Sequence, residues 1–130
     1  MSIELSFQQE ANYLFVKAYG EWTEENMRQA MEAIRSEATK QSQTCLLLDL
    51  RAIPRPDTEM TRYFTGEHCA RILCPPFKSA VLAMPEVYNK FAESVAVSRG
   101  AIVKVFFEKE GALEWLLGGA TSRRQATRVT

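Results

Sequence analysis

Three short apolar runs, each followed by a helical pattern, constrain the fold of this chain more than any other feature. The runs are Cys45–Leu50, Ser79–Met84 and Ala101–Phe107. Continuous apolar runs of this length are typical of strands that are covered on both faces in a parallel sheet. A crossover, usually a helix, must connect one parallel strand to the next. The chain is therefore predicted to fold as repeated strand–helix units.

The segment before the first apolar run predicts a hairpin and a helix. Apolar and polar residues alternate from Ile3 to Phe7, and again from Tyr13 or Leu14 to Gly20, with a turn at residues 8–12. Thr23 is predicted to cap the helix that follows. The predicted buried face of this helix, at three- and four-residue spacing, consists of Met27, Ala30, Met31, Ile34 and Ala38.

Three further helices complete the predicted α/β fold. Their expected bounds are Asp57 or Thr58 to about Cys74, Pro85 to Gly100, and a short helix that ends at Gly118–Gly119. The expected order is ββαβαβαβα, with a mixed, mostly parallel sheet of five strands in which the first strand alone runs antiparallel. Residues 1–118 are predicted to form one domain, and residues 119–130 a flexible basic tail.

Composition excludes several functional classes. A chain of 130 residues supports one domain of ordinary size, and sixteen basic and sixteen acidic residues leave a net charge of zero. No nucleic-acid partner is expected from this balance. The N-terminus lacks the features of a signal peptide, and no stretch has the length of a transmembrane segment. We therefore expect a cytoplasmic protein.

The chain offers few residues for catalysis or metal binding. Its three cysteines show no Cys-x-x-Cys spacing, and His68 is its single histidine. His68 and Cys69 are neighbours on a predicted helix, so their side chains point in different directions. No nucleophile-and-base motif and no phosphate-binding glycine loop occurs. We expect no metal and no cofactor, and we expect the protein not to be an enzyme.

The richest candidate site is the loop that follows the first apolar run. Ligands of open α/β sheets bind beyond the carboxyl ends of parallel strands. The candidate residues at this position, which combine charge with a hydroxyl at a helix start, are Asp49, Arg51, Arg55, Asp57 and Thr58. A structural alternative is that Asp49 and Arg51 form a local ion pair and that Asp57 or Thr58 caps the helix.

Two aromatic residues are the next candidates. Tyr63 and Phe64 lie beside Gly66 on the second predicted helix, where they are expected to line the mouth of a ligand pocket. The alternative is that the aromatic residues of this chain belong to the core. A self-association face on residues 89–99, which would make a homodimer, is a further possibility that periodicity does not separate from packing.

Several stretches of the chain resemble one known family. They are Gly20–Asn26, Leu46–Arg51, Tyr63–Glu67, Phe77–Val81, Asn89–Glu93, Arg99–Phe106 and Ala112–Leu116. In order and spacing they resemble the SpoIIAA-like family of small bacterial STAS/SEC14-type domains, from about Ile3 to Leu117. The resemblance implies a fold shared with the anti-sigma-factor antagonists and the lipid-binding CRAL-TRIO proteins, and no established activity.

The resemblance also implies a role for Thr58. The antagonists carry Leu-Asp-Leu at the end of a strand, as Leu48–Leu50 does here, and Asp-Ser-Ser-Gly at the next helix start. Asp57–Met60 falls where that second motif belongs, so Thr58 is the candidate phospho-acceptor. Threonine, Glu59 and Met60 depart from the pattern of the family.

Two functions of different kinds follow from the sequence. The first is a bacterial regulatory module that docks a protein partner through the loop and helix start at residues 49–58. The alternative is a carrier or sensor of a lipid or other small apolar ligand. A third hypothesis is an enzyme of unknown type.

Overall fold

The computed structural model describes residues 3–121 as five strands and four helices. The strands are β1 Glu4–Gln9, β2 Leu14–Tyr19, β3 Cys45–Asp49, β4 Lys78–Leu82 and β5 Ile102–Phe106. The helices are α1 Glu24–Lys40, α2 Met60–Ile72, α3 Phe91–Ser98 and α4 Lys109–Thr121. The predicted order of elements, ββαβαβαβα, is confirmed.

The five strands form one mixed sheet in the spatial order β1-β2-β3-β4-β5. β1 pairs antiparallel with β2, and Phe7 lies opposite Val16 in their register. Each later strand pairs parallel with the strand that precedes it. The sheet is therefore mostly parallel, with the first strand antiparallel, as the sequence predicts.

Both faces of the central strand β3 are covered. Leu46 and Leu48 belong to the larger core, which the sheet forms with α1 and α2. Leu47 belongs to a second core on the opposite face, with Ala112 and Leu116 of α4. Alternate residues of a strand point to opposite faces of the sheet. A strand that is apolar at every inner position is therefore enclosed between two helical layers.

The first helix begins as the sequence predicts. The Oγ1 atom of Thr23 accepts a hydrogen bond from the backbone N–H of Asn26 at 3.1 Å. This bond satisfies a donor that the first turn of a helix otherwise leaves unpaired. The predicted buried face of α1 is also confirmed. Its buried residues include Met27, Ala30, Met31, Ile34 and Ala38.

The second helix is shorter than predicted. α2 begins at Met60 rather than at Asp57 or Thr58, and it ends at Ile72 rather than near Cys74. The carbonyl oxygen of Thr58 accepts a hydrogen bond from the N–H of Thr61 at 3.2 Å, which closes a turn before the helix proper. The chain turns here first because the side chains of Asp57 and Thr58 bond to the following residues.

The predicted start of the third helix at Pro85 is wrong. The chain after β4 first makes a separate turn, in which two N–H groups donate to the carbonyl oxygen of Met84. Lys90 then adopts a left-handed conformation with φ of 74°, which interrupts any continuous helix. Helix α3 begins only at Phe91, whose N–H donates to Oδ1 of Asn89 at 3.0 Å.

The last strand is not the third buried strand that its apolar run predicts. β5 lies at the edge of the sheet, and its residues are exposed or half-buried. Ile102 is among the exposed large apolar residues of the protein. An edge strand has a neighbour on one side only, so its apolar side chains are covered less completely than those of β3.

The fourth helix continues through Gly118–Gly119, where the sequence predicts its end. α4 extends to Thr121, because glycine weakens a helix by about 1 kcal/mol but does not by itself end one. Most of the predicted basic tail, residues 122–130, lies outside the described residues.

One buried hydroxyl on β4 has no hydrogen-bond partner. Ser79 is 1% exposed, and its Oγ atom finds no partner among the described residues. A buried polar group without a partner costs roughly 1–3 kcal/mol. We expect Ser79→Ala to raise the free energy of unfolding by about 1 kcal/mol, measured by urea denaturation. A variant less stable than the wild-type protein would contradict this prediction.

Candidate functional site

The sheet and its three crossover helices surround a partly open apolar cavity of about 130 Å³. Its floor is the face of the sheet that carries Leu48, Val81 and Val103, and α1 and α2 form its roof. The segment 83–90 and the first turns of α3 close one side. The cavity therefore lies beneath α2.

Side chains at helical spacing build the wall that α2 contributes. Four residues lie on the face of this helix that meets the cavity: Arg62, Thr65, Gly66 and Cys69. Leu73, directly after the helix, continues the same stripe. Positions three and four residues apart share one face of a helix, so the cavity faces a single stripe of α2.

The wall of the cavity is almost entirely apolar. Four side chains of α1 line it: Met27, Ala30, Met31 and Ile34. Burial raises the pKa of the Cys69 thiol to about 12, so this group remains protonated at neutral pH. Cys69 acts here as a small apolar side chain.

Of the charged residues that line the cavity, Arg62 is the buried one. Its side chain is 2% exposed, and its guanidinium lies 5.1 Å from the centre of the Trp22 ring. The indole N–H of Trp22 donates to Oγ1 of Thr65 at 2.7 Å, and Thr65 donates to the carbonyl oxygen of Thr61 at 2.8 Å. These bonds hold the indole in place beneath the guanidinium, where a cation–π contact stabilises both.

Polar residues before α3 meet Arg62 at one corner of the cavity. Oε1 of Glu59 accepts hydrogen bonds from Nε of Arg62 at 2.9 Å and from Nδ2 of Asn89 at 3.3 Å. Asn89 and its neighbour Lys90 both line the cavity. Glu59 thus links the first turn of α2 to the segment that closes the cavity.

A second carboxylate fixes the segment 83–90 to the sheet. The hydroxyl of Tyr88 donates to Oε1 of Glu93, and the backbone N–H of Val105 donates to Oε2 of Glu93 at 3.1 Å. Burial raises the pKa of the Tyr88 hydroxyl, and the bond to Glu93 raises it further. Tyr88 therefore remains a neutral donor, and α3 is held against the edge strand.

The loop at 49–58 contributes both to the surface and to the cavity. Leu50 and Ile53 line the cavity, and Ile53 is buried. The guanidinium of Arg55 is exposed and makes no hydrogen bond with the residues between 3 and 121. Of the charged residues predicted for a site, Arg51, Arg55 and Asp57 thus lie on the outside of the loop, whereas Asp49 is buried.

Asp49 and Arg51 form the local ion pair that was the structural alternative. The buried carboxylate of Asp49 accepts hydrogen bonds from Nε and Nη2 of Arg51, each at 2.9 Å, and from its backbone N–H at 3.1 Å. Burial by itself would raise the pKa of the Asp49 carboxyl, but the bonds from Arg51 outweigh it, and the pKa lies below its ordinary value.

Removing this ion pair is expected to reduce stability in a pH-dependent way. A carboxyl whose pKa is lowered by folding stabilises the protein above its unfolded pKa, and the stabilisation is lost as pH falls through the folded pKa. We expect Arg51→Met to cost about 1 kcal/mol near neutral pH, since Arg51 is half-exposed and partly screened. The difference in the free energy of unfolding between the variant and the wild-type protein should disappear as pH falls below about 4.

Urea denaturation across a pH series measures this difference, with Arg55→Met as the control. Arg55→Met removes the same charge without removing a hydrogen bond. This variant should therefore be as stable as the wild-type protein at every pH. An Arg51→Met protein as stable as wild type near neutral pH, or a loss that persists unchanged in acid, would contradict the prediction.

Asp57 and Thr58 form a hydrogen-bonded turn at the start of α2. Oδ1 of Asp57 accepts from the Thr58 N–H at 2.9 Å and from the Thr61 hydroxyl at 2.6 Å. Oγ1 of Thr58 accepts from the Thr61 N–H at 3.3 Å. Both residues are exposed. These bonds close the turn that precedes α2. The N-cap position of the helix is Glu59, which makes no capping side-chain bond, so neither Asp57 nor Thr58 is the cap itself.

Tyr63 and Phe64 lie outside the lining of the cavity. The Tyr63 hydroxyl donates to Glu67 at 2.9 Å and accepts from Nη2 of Arg99 at 2.9 Å. The rings of Tyr63 and Phe64 are 5.5 Å apart, and Phe91 lies 6.4 Å from Tyr63. These aromatic residues therefore form a separate cluster between α2 and α3. The prediction that Tyr63 and Phe64 line the mouth of the pocket is wrong.

Sequence reasoning missed Arg62 as a site residue. A signal was present, because Arg62 lies in the stripe that continues through Thr65, Gly66 and Cys69 at three- and four-residue spacing. A charged residue within a buried helical stripe is unusual unless it has a partner.

No protein-family model and no curated protein matches this chain. Among solved structures, an uncharacterized protein of the DUF3478 family from Shewanella loihica PV-4, described as having a SpoIIAA-like fold, is 22% identical. The two align with a TM-score of 0.55 over 88% of this chain and 94% of that chain. The chain adopts a SpoIIAA-like fold.

The SpoIIAA-like fold also relates the chain to an anti-sigma factor antagonist from Mycobacterium paratuberculosis. That protein is 14% identical, with a TM-score of 0.61 over 88% of this chain and 94% of the antagonist. Similarity at these identities establishes the fold alone. It confirms the fold that the sequence resemblance implies.

The described part of the SpoIIAA-like domain contains neither a membrane-spanning helix nor a metal cluster. None of the helices within residues 3–121 has the length and apolarity that a membrane span requires. The same part of the chain brings together no cluster of three or more histidine, cysteine, aspartate and glutamate side chains suited to a metal ion.

Proposed function

We propose that this protein acts by binding, and that its cavity holds a compact apolar molecule. The observation that carries the proposal is an apolar space of about 130 Å³ between the sheet and α2. Protein interiors are normally packed as densely as organic crystals. At about 24 cal/mol per Å³, a void of this size costs about 3 kcal/mol of stability. A ligand that fills the space recovers much of this cost.

The volume sets the size of the ligand. An engineered apolar cavity of about 150 Å³ in another protein binds benzene. A space of about 130 Å³ therefore suits a single ring or a short branched chain of about six to eight carbons. A longer lipid chain fits only if part of it leaves the cavity.

Benzyl alcohol is a suitable probe because it is neutral, soluble and of the right size. We expect saturable binding with a Kd on the order of 1 mM or below, measured by calorimetric titration. Solvent extraction and mass spectrometry of freshly purified protein should also detect a small apolar molecule at up to one equivalent. Absence of both saturable binding and a co-purified molecule would contradict the proposal.

A second candidate function is docking of a protein partner through residues 49–58. Two observations favour it: the fold is shared with an anti-sigma factor antagonist, and Arg55, Asp57 and Thr58 are exposed on one loop. Thr58 is also the proposed phospho-acceptor, since it is an exposed residue directly before α2. A cytoplasmic location and self-association through residues 89–99 stay predictions.

Thr58→Glu tests the docking surface. The new carboxylate would join those of Asp57 and Glu59 and would remove the bonds between Thr58 and Thr61. We expect this variant to lose a partner that the wild-type protein retains in affinity capture. Thr39→Glu, on the exposed side of α1, is the matched control. Retention of every partner at unchanged affinity would remove this candidate.

A further inference from the structure

The buried guanidinium of Arg62 has more donors than its protein partners use. Its Nε donates to Glu59, whose side chain is 72% exposed. Neither Nη nitrogen forms a hydrogen bond with any residue between 3 and 121. Arginine carries five N–H donors. The four on the Nη nitrogens find no acceptor among the described residues, and these nitrogens keep part of the 2% of the side chain that is accessible. Burying a charge in this way is costly unless hydrogen bonds compensate it.

The position of Arg62 in the cavity wall indicates which kind of group balances its charge. Arg62 and Trp22 both line the apolar cavity, as do Asn89 and Lys90 at the same corner. A carboxylate elsewhere in the cavity lining, Glu93, has both oxygens engaged by Tyr88 and Val105. An anionic group at the corner would therefore meet the open donors of Arg62 while the rest of its molecule lay against apolar side chains.

We propose that the cavity selects a compact carboxylate, with its anionic group held by the two Nη nitrogens of Arg62. The inference rests on the proposed function and names the ligand class. The flat fork of a guanidinium matches the two oxygens of a carboxylate, and such paired bonds are stronger than neutral ones. One guanidinium balances one negative charge, and the volume leaves room for one ring or short chain beside it.

Benzoate and benzyl alcohol form the probe pair for this inference, because they share one ring and differ in charge. We expect benzoate to bind the wild-type protein roughly tenfold to a hundredfold more tightly than benzyl alcohol. In Arg62→Met, the affinity for benzoate should fall by the same factor, and the affinity for benzyl alcohol should change little. Arg35→Met removes an exposed charge from α1 and should leave both affinities unchanged.

The outcomes separate the two proposals. Equal binding of both probes by the wild-type protein, or undiminished benzoate binding by Arg62→Met, would overturn the carboxylate inference and leave the apolar ligand in place. Failure of both probes to bind, with no co-purified molecule, would overturn the proposed function itself. If Arg62→Met does not fold, the preference of the wild-type protein for benzoate still decides the inference.

Discussion

Replacing Gly66 with alanine is expected to destabilise the protein by about 2 kcal/mol. A Cβ atom at this position would lie 2.5 Å from the carbonyl oxygen of Ala92 and 2.7 Å from Cβ of Val95. Both atoms belong to α3, and one is backbone, so α3 must move away from α2. Overpacking of this kind costs roughly 1–3 kcal/mol and occasionally more, against a gain of about 1 kcal/mol in helix propensity.

Gly111→Ala is the matched control for this prediction. A Cβ at Gly111 would come no closer than 3.7 Å to Phe106, which is ordinary contact. This variant gains helix propensity in α4 without a clash, so we expect it to be as stable as wild type or more stable. Urea denaturation measures both variants. A Gly66→Ala protein as stable as Gly111→Ala would show that α2 and α3 do not pack as described.

Replacing Ala30 with leucine is expected to abolish binding of benzyl alcohol and benzoate. Ala30 is buried on α1 and lines the cavity, so leucine would place three more carbons in the space that the ligand needs. Leucine favours helix almost as well as alanine does, so α1 itself should form normally. We expect at least a tenfold loss of affinity for both probes, with stability unchanged or raised because the void is filled.

Ala33→Leu is the control, since Ala33 lies on the exposed side of the same helix. It carries the same substitution one turn away and should bind both probes with wild-type affinity. Calorimetric titration of the two variants decides the matter. Equal affinity in Ala30→Leu and wild type would place the binding site elsewhere.

The sheet and α1 could be predicted because their signals are local. The run at 45–50 is apolar on both faces, and β3 is indeed enclosed between two cores. Thr23 has the hydroxyl and the position of a cap, and the structure shows that hydrogen bond. Patterns of this kind depend on a few neighbouring residues, which the sequence displays directly.

The start of α3 could not be predicted from such patterns. Pro85 is well suited to a first helical position, yet the left-handed conformation of Lys90 separates that position from the helix. Lys90 has no intrinsic preference for this conformation, so the surrounding contacts impose it. The bond from Asn89 to Glu59 joins residues thirty positions apart.

In the candidate site, too, features that depend on neighbouring residues could be predicted, and features that depend on distant residues could not. Asp49 and Arg51 are two positions apart in the sequence, and an ion pair between them was one of the two interpretations of this loop. The cavity depends on Gly66 meeting α3 and on Arg62 meeting Trp22, which are contacts between distant elements. Hydrophobic periodicity shows that a stripe is buried, but it does not show how closely the opposite wall approaches.

Methionine methyl NMR tests the central claim, a ligand in the cavity beneath α2, most directly. Met27, Met31 and Met84 line the cavity, whereas Met60 is exposed and does not. The ring of bound benzoate should shift the carbon-13 methyl signals of the first three and leave that of Met60 in place. Shifts at Met60 alone, or no saturable shift at the three cavity residues, would contradict the claim.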